Sequence, residues 1–257
     1  LVVLLLIPLN ITVVQAQTGT PPPPNIVSWW PGDGNVDDFI DGNHGTMRDG
    51  ATFATGKVGQ AFSFDGVDDY VQVPNAALNN MSAGTIEMWL FPKENGGTAL
   101  WGYGRVWFAK QHDYVGSWAI FCFTSPTDTR VRFHLSNEAS PWSANDLIGT
   151  TSLALNSWYH VAATWDGSFI RVYVNGIKEA ELASPYGIPD DLGAVTSVGA
   201  WTGHGNGFFK GLIDEASIYN RALTASEIQA IYQAGSTGKW KDKTSPTTTV
   251  SLNPSTP

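Results

Sequence analysis

Apolar and polar positions along this chain recur with a period of two far more often than with a helical period, as expected of strands that bury one face. In TRVRFHLS, Val131, Phe133 and Leu135 fall on one side and Arg130, Arg132 and His134 on the other. WYHVAATWDGSFIRVYVNG holds two such runs joined at Asp166-Gly167, and Asn175-Gly176 follows the second. Both dipeptides accept the positive φ of tight hairpin turns. QAFSFDGVDDYVQVP repeats the arrangement around Asp65-Gly66, and GTIEMWLFP and SWAIFCFT add further strands. Short strands between Gly, Asn, Asp and Pro clusters predict an all-β antiparallel sandwich. One segment departs from the pattern. Thr224 to Glu227 has the spacing of a capping box, Ile228, Ile231 and Tyr232 follow at helical intervals, and Gly235 offers a stop. A short C-terminal helix laid against the sandwich is expected there.

The strand before that helix, GLIDEASIY, carries two adjacent carboxylates among apolar residues. Strict alternation puts Leu212, Asp214, Ala216 and Ile218 on one face and Ile213, Glu215, Ser217 and Tyr219 on the other. Asp214 then faces inward and Glu215 meets solvent or a surface partner such as Arg221. A carboxylate among core residues needs compensation, from backbone amides or from a cation.

The two ends differ in composition from the middle. Residues 1–16, in LVVLLLIPLNITVVQAQ, form an apolar segment too short to span a bilayer and closed by a small residue, which reads as a truncated signal peptide. Residues 17–25 include PPPP and read as a stiff linker. Residues 236–257 are rich in Thr, Ser and Pro and read as a linker followed by the start of a further, Ig-like domain. The folded body is expected at 26–235.

Composition narrows the function classes. Asp and Glu outnumber Lys and Arg by 23 to 14, a formal charge of −9, which repels phosphate backbones and argues against nucleic acid as a partner. The one cysteine, Cys122, allows no intrachain disulfide and lies in the apolar run AIFCF, where it reads as a buried thiol. No stretch beyond the first residues could enter a membrane. The histidines lack metal-ligand spacing such as HExxH, so a zinc enzyme is not expected. No GxSxG elbow is present. A retaining glycosidase needs two carboxylates roughly 5–5.5 Å apart, flanking the bond to be cut. Adjacent Asp214 and Glu215 point to opposite faces under alternation, and Glu87 stands alone in TIEMWLF. No catalytic residue is assigned.

Three blocks, in order, carry a resemblance. DGNHGTMRDGATFATGKVGQAFSFDGVDDYVQVP, SWYHVAATWDGSFIRVYVNG and FFKGLIDEASIYNRALTASEIQAIY resemble the first half, central hairpin and closing strand with helix of bacterial LamG-like jelly-roll domains, of the concanavalin A-like lectin/glucanase class. The resemblance implies a two-sheet jelly roll, secreted or at the cell surface, that is usually non-catalytic and binds glycans or proteins. It also matches Asp38, in the loop GDGNVDDFIDGNHG, and Asp214 to recurring acidic positions. With first and last strands side by side, as such folds have them, Asp38, Asp214 and loop carbonyls are candidate ligands of a structural Ca²⁺, an ion that takes oxygen ligands; backbone amides are the alternative partners.

Of the tryptophans, Trp101, Trp142 and Trp201 lie in glycine- or proline-rich segments that read as loops, and are candidates for stacking on sugar rings. Plugging the edge of the sandwich is the competing role. The expectation is a non-catalytic extracellular recognition module, for polysaccharide or surface glycoprotein, within a larger adhesive protein. A domain of a carbohydrate-active enzyme and a ligand-free spacer are the alternatives.

Overall fold

The computed structural model describes residues 19–94, 105–112, 116–125, 127–135, 146–188, 194–202 and 207–241. In chain order the strands are β1 (Ile26–Trp30), β2 (Thr46–Arg48), β3 (Thr52–Thr55), β4 (Gln60–Asp65), β5 (Tyr70–Val73), β6 (Gly84–Pro92), β7 (Val106–His112), β8 (Gly116–Ser125), β9 (Asp128–Leu135), β10 (Asp146–Ser152), β11 (Tyr159–Trp165), β12 (Phe169–Val174), β13 (Ile177–Ala183), β14 (Val195–Val198) and β15 (Lys210–Tyr219). The helix α1 spans Ala225–Ala234. All strand pairs are antiparallel. The larger sheet runs β13-β12-β11-β6-β15-β4-β3, with β1 also on β15; the smaller runs β10-β9-β8-β7-β14-β5-β2. This is the expected two-sheet jelly-roll sandwich with one short helix.

The alternating residues meet between the sheets. Ile86, Met88 and Leu90 of β6 and Val161, Ala163 and Trp165 of β11 face Trp107, Phe121, Val131, Phe133 and Leu135 in one continuous core. Phe133 stacks on Trp165 with centroids 6.2 Å apart. Each of the larger aliphatic and phenyl side chains here, fully removed from water, contributes roughly 1.5–3 kcal/mol.

Turn chemistry sets the registers. Asp166 Oδ1 accepts from the amides of Ser168 and Phe169 between β11 and β12. Asn175 and Gly176, at φ 50° and 79°, form the tight link from β12 to β13. The Thr224 hydroxyl accepts from the Glu227 amide and the Glu227 carboxylate accepts from the Thr224 amide, so the capping box is formed. Below it, Ile228 and Ile231 pack with Ala162, Tyr173, Tyr219 and Leu223. The helix thus covers the outer side of the larger sheet, away from the inter-sheet core.

Two sequence expectations change. Part of what reads as linker is folded: Thr20 forms a parallel bridge with Lys239, through Thr20 N–H to the Gly238 carbonyl (3.0 Å) and Trp240 N–H to the Thr20 carbonyl (2.9 Å). Glu215 does not meet Arg221; it is only 1% exposed, and Arg221 pairs with Glu227 instead.

Candidate functional site

The reason for the second change is a β-bulge. Register between β15 and β6 shifts between Asp214 and Ser217, and Glu215 has φ 58°. A bulge sets two residues of one strand against one of its partner. Ile213 lies in the inter-sheet core before the bulge, and Ala216 and Ile218 after it. The phase of alternation therefore flips at 214–215, which puts both carboxylates on the outer side of the sheet. Both are buried there.

They join a buried polar network on that outer side. Opposite Ser217 on β6 stands Glu87, whose Oε2 lies 3.0 Å from His160 Nε2 of β11. Lys239, from the segment after α1, donates to Glu87 Oε1 (2.8 Å), Ser217 Oγ (3.0 Å) and the Glu215 carbonyl (3.2 Å), which satisfies all three ammonium hydrogens. Its Nζ also sits 3.6 Å from Glu215 Oε2 and 5.0 Å from the Trp29 ring centroid. Lys241 pairs with Glu215 Oε1 at 3.3 Å and with Asp33. Burial alone would raise the Glu87 carboxyl, but the Lys239 ammonium and the His160 hydrogen bond overcome it and hold it down at about 2. Burial raises the Glu215 carboxyl against the pull of Lys239 and Lys241. Glu87, His160 and Lys239 were not picked out by sequence. Glu87 stands alone in its strand, and Lys239 lies in a stretch with the composition of a linker.

Asp38 and Asp214 find amide partners on separate segments. Asp38 Oδ1 accepts from the amides of Trp29 (2.8 Å) and Ile40 (3.0 Å), and its Oδ2 from Asp41 (3.3 Å) and Asn43 (3.1 Å). Asp214 Oδ2 accepts from the amides of Lys57 (2.7 Å) and Val58 (2.8 Å). Burial raises the Asp214 carboxyl to about 8, even though those two amides pull it down. Amides are thus the partners of both Asp38 oxygens and of Asp214 Oδ2, while Asp214 Oδ1 is buried without a hydrogen-bond partner among the described residues. Among the described residues the acidic group that could hold a metal is another, Asp65, Asp68 and Asp69, whose ligand atoms lie within 4.8 Å of one another.

Of the tryptophan candidates, Trp101 and Trp142 lie outside the described residues. Trp201 is 1% exposed and packs with Val106, Ala109 and Cys122, so its ring is engaged in packing at the sandwich, the competing role foreseen for it. Burial pushes the Cys122 thiol well above its ordinary range, so it stays protonated and inert.

Several solved structures share this architecture. Domain 4 of AbnA, a GH43 extracellular arabinanase from Geobacillus stearothermophilus solved with arabinotriose, is 19% identical, with 80% of this chain and 97% of that one covered at TM-score 0.63. The binding domain of Paraclostridial Mosquitocidal Protein 1 is 16% identical, with 81% and 52% covered at TM-score 0.61. The botulinum neurotoxin serotype D ligand binding domain, solved with N-acetylneuraminic acid, is 14% identical, with 81% and 50% covered at TM-score 0.58. The chain spans about half the length of the two toxin domains. At these identities the likeness is one of fold. No curated protein sequence matches the chain. A family profile does, over residues 65–229, and it covers the central strands and the first half of α1. By that match the chain belongs to the concanavalin A-like lectin/glucanases superfamily.

Proposed function

We propose that this chain is a non-catalytic extracellular recognition module that binds glycans as part of a larger secreted or surface protein. The observation that carries the reading is the state of the carboxylates on the central strands β6 and β15. Glu87 and Glu215 are buried and ion-paired, and Asp214 is buried and bonded to amides. Glycoside hydrolysis needs a proton donor and a second carboxylate that reach the same bond from a cleft. Here both strands spend their acidic groups on fastening the fold. The sandwich remains as a frame for binding.

The glycan class is supported by two fold neighbours that were solved with arabinotriose and N-acetylneuraminic acid. Secretion is supported by the apolar segment at residues 1–16. The acidic balance supports a partner other than nucleic acid.

The test is a glycan array that includes arabinan oligosaccharides and sialylated glycans, run beside a hydrolysis assay on the same sugars. Binding without product is expected. Product formation would overturn the non-catalytic reading, and a blank array would overturn the glycan reading.

A further inference from the structure

A pocket of about 360 Å³ opens beside the start of β6. Val27 and Met81 contribute apolar wall, and Asn79, Asn80, Ser82 and Asn220 contribute polar groups. We infer that this pocket is a subsite for a neutral sugar residue. The inference rests on the glycan reading and gives it a location and a ligand charge.

Among the described residues the lining contains no charged side chain. An anionic ligand such as a phosphate or a sialic acid would lose its hydration there without gaining a cation. Lys110, behind the loop, is buried, and its ammonium donates to the Asn79 side chain and the Leu78 carbonyl. What the pocket offers is amide and hydroxyl groups, which donate and accept as sugar hydroxyls do.

Those groups on Asn80, Ser82 and Asn220 are exposed at the pocket and open to a ligand. The side chains of Asn80, Ser82 and Asn220 make no hydrogen bond to the rest of the described protein.

The walls are held in advance of any ligand. Met81 and Ile188 exchange both backbone hydrogen bonds at 2.8 Å, and Trp165 Nε1 donates to the Met81 carbonyl at 3.1 Å. Asn80 immediately precedes the anchored Met81, in the left-handed region at φ 53°. Asparagine adopts that conformation readily in turns. Asn220 is fixed by its amide, which donates to the Asn25 carbonyl at 3.0 Å. A backbone fixed in advance loses little ordering entropy on binding, which favours affinity even for a ligand that makes few contacts.

The experiment is titration of the whole chain with arabinotriose, cellotriose and sialyllactose, followed by amide chemical shifts and calorimetry. Neutral trisaccharides are expected to shift the amides of residues 79–83 and 220, and the double variant Ser82→Ala, Asn220→Ala to weaken that binding at least tenfold with the melting temperature unchanged. Sialyllactose is expected to leave those amides in place. Neutral-sugar binding of unchanged affinity in the double variant, with shifts elsewhere, would overturn the subsite and leave the glycan reading standing. Absence of binding by every sugar would overturn both.

Discussion

Lys239 reaches back 152 residues along the chain to place its ammonium 2.8 Å from Glu87 Oε1, with both side chains closed to solvent. Removing one partner of such a buried pair leaves an uncompensated charge, so Lys239→Met is expected to lower unfolding free energy by about 3–5 kcal/mol. The double replacement Glu87→Leu, Lys239→Met should recover more than half of that loss, because neither charge then remains. Urea unfolding of the three proteins measures it. A single-variant cost near zero would mean that the segment after α1 is not docked.

Stability should vary with pH in two limbs of opposite sign. In the fold Asp214 holds its proton up to about 8, whereas the unfolded chain releases it near pH 4. The folded state then binds more protons across that interval, so this contribution falls as pH rises from about 4 to about 8. Glu87 and Glu227 lie low, at about 2, and act in the other direction: their contribution is complete above about pH 4.5 and is lost as pH falls toward 2. Urea unfolding from pH 3 to pH 9 is expected to show a maximum near pH 5. Asp214→Asn, whose side-chain oxygen can still accept from Lys57 and Val58, should flatten the upper limb and leave the lower one. An unchanged upper limb would show that Asp214 does not titrate there.

Asp38 gathers four backbone amides onto one carboxylate. Asp38→Ala should therefore cost about 2–4 kcal/mol through donors left without an acceptor. Because the partners are amides, the drop in melting temperature should be the same in excess calcium and in EDTA. A drop that appears only in calcium would instead assign an ion to this loop.

Thr224→Ala removes the acceptor of the Glu227 amide and should lower stability by about 1 kcal/mol. Thr224→Ser should retain most of it. A matching loss of signal from Ile228 and Ile231 in hydrogen exchange would show that the cap holds the helix on the sheet.

Much of this fold is written in local patterns. Val131, Phe133 and Leu135 alternate into the core as their spacing demands, and Asp166-Gly167, Asn175-Gly176 and the box at Thr224 and Glu227 turn or start the chain where their chemistry says they should. The candidate site was less legible, for identifiable reasons. The bulge at Glu215 uses a positive φ on a residue that does not advertise it, and one extra residue reverses every side chain beyond it. Lys239 finds Glu87 only through the finished topology, since nothing local marks a lysine among Ser, Thr and Gly as a core residue. Trp201 lies outside the strands, between β14 and β15, as its glycine-rich surroundings indicate, yet its ring packs onto Val106 and Cys122.

The parallel bridge between Thr20 and Lys239 has a mechanical consequence. Tension that arrives through Gly19 and leaves through Lys241 pulls the two segments past each other along their common axis. Parallel pairing sets the Thr20–Gly238 and Trp240–Thr20 hydrogen bonds under that load together, in shear, and the Lys239 side chain anchored inside must be dragged out with them. A hairpin peeled from its open end would break the same bonds one at a time, at lower force. The chain ends of this sandwich are joined as a clamp, so it should resist stretching far better than its few terminal hydrogen bonds suggest.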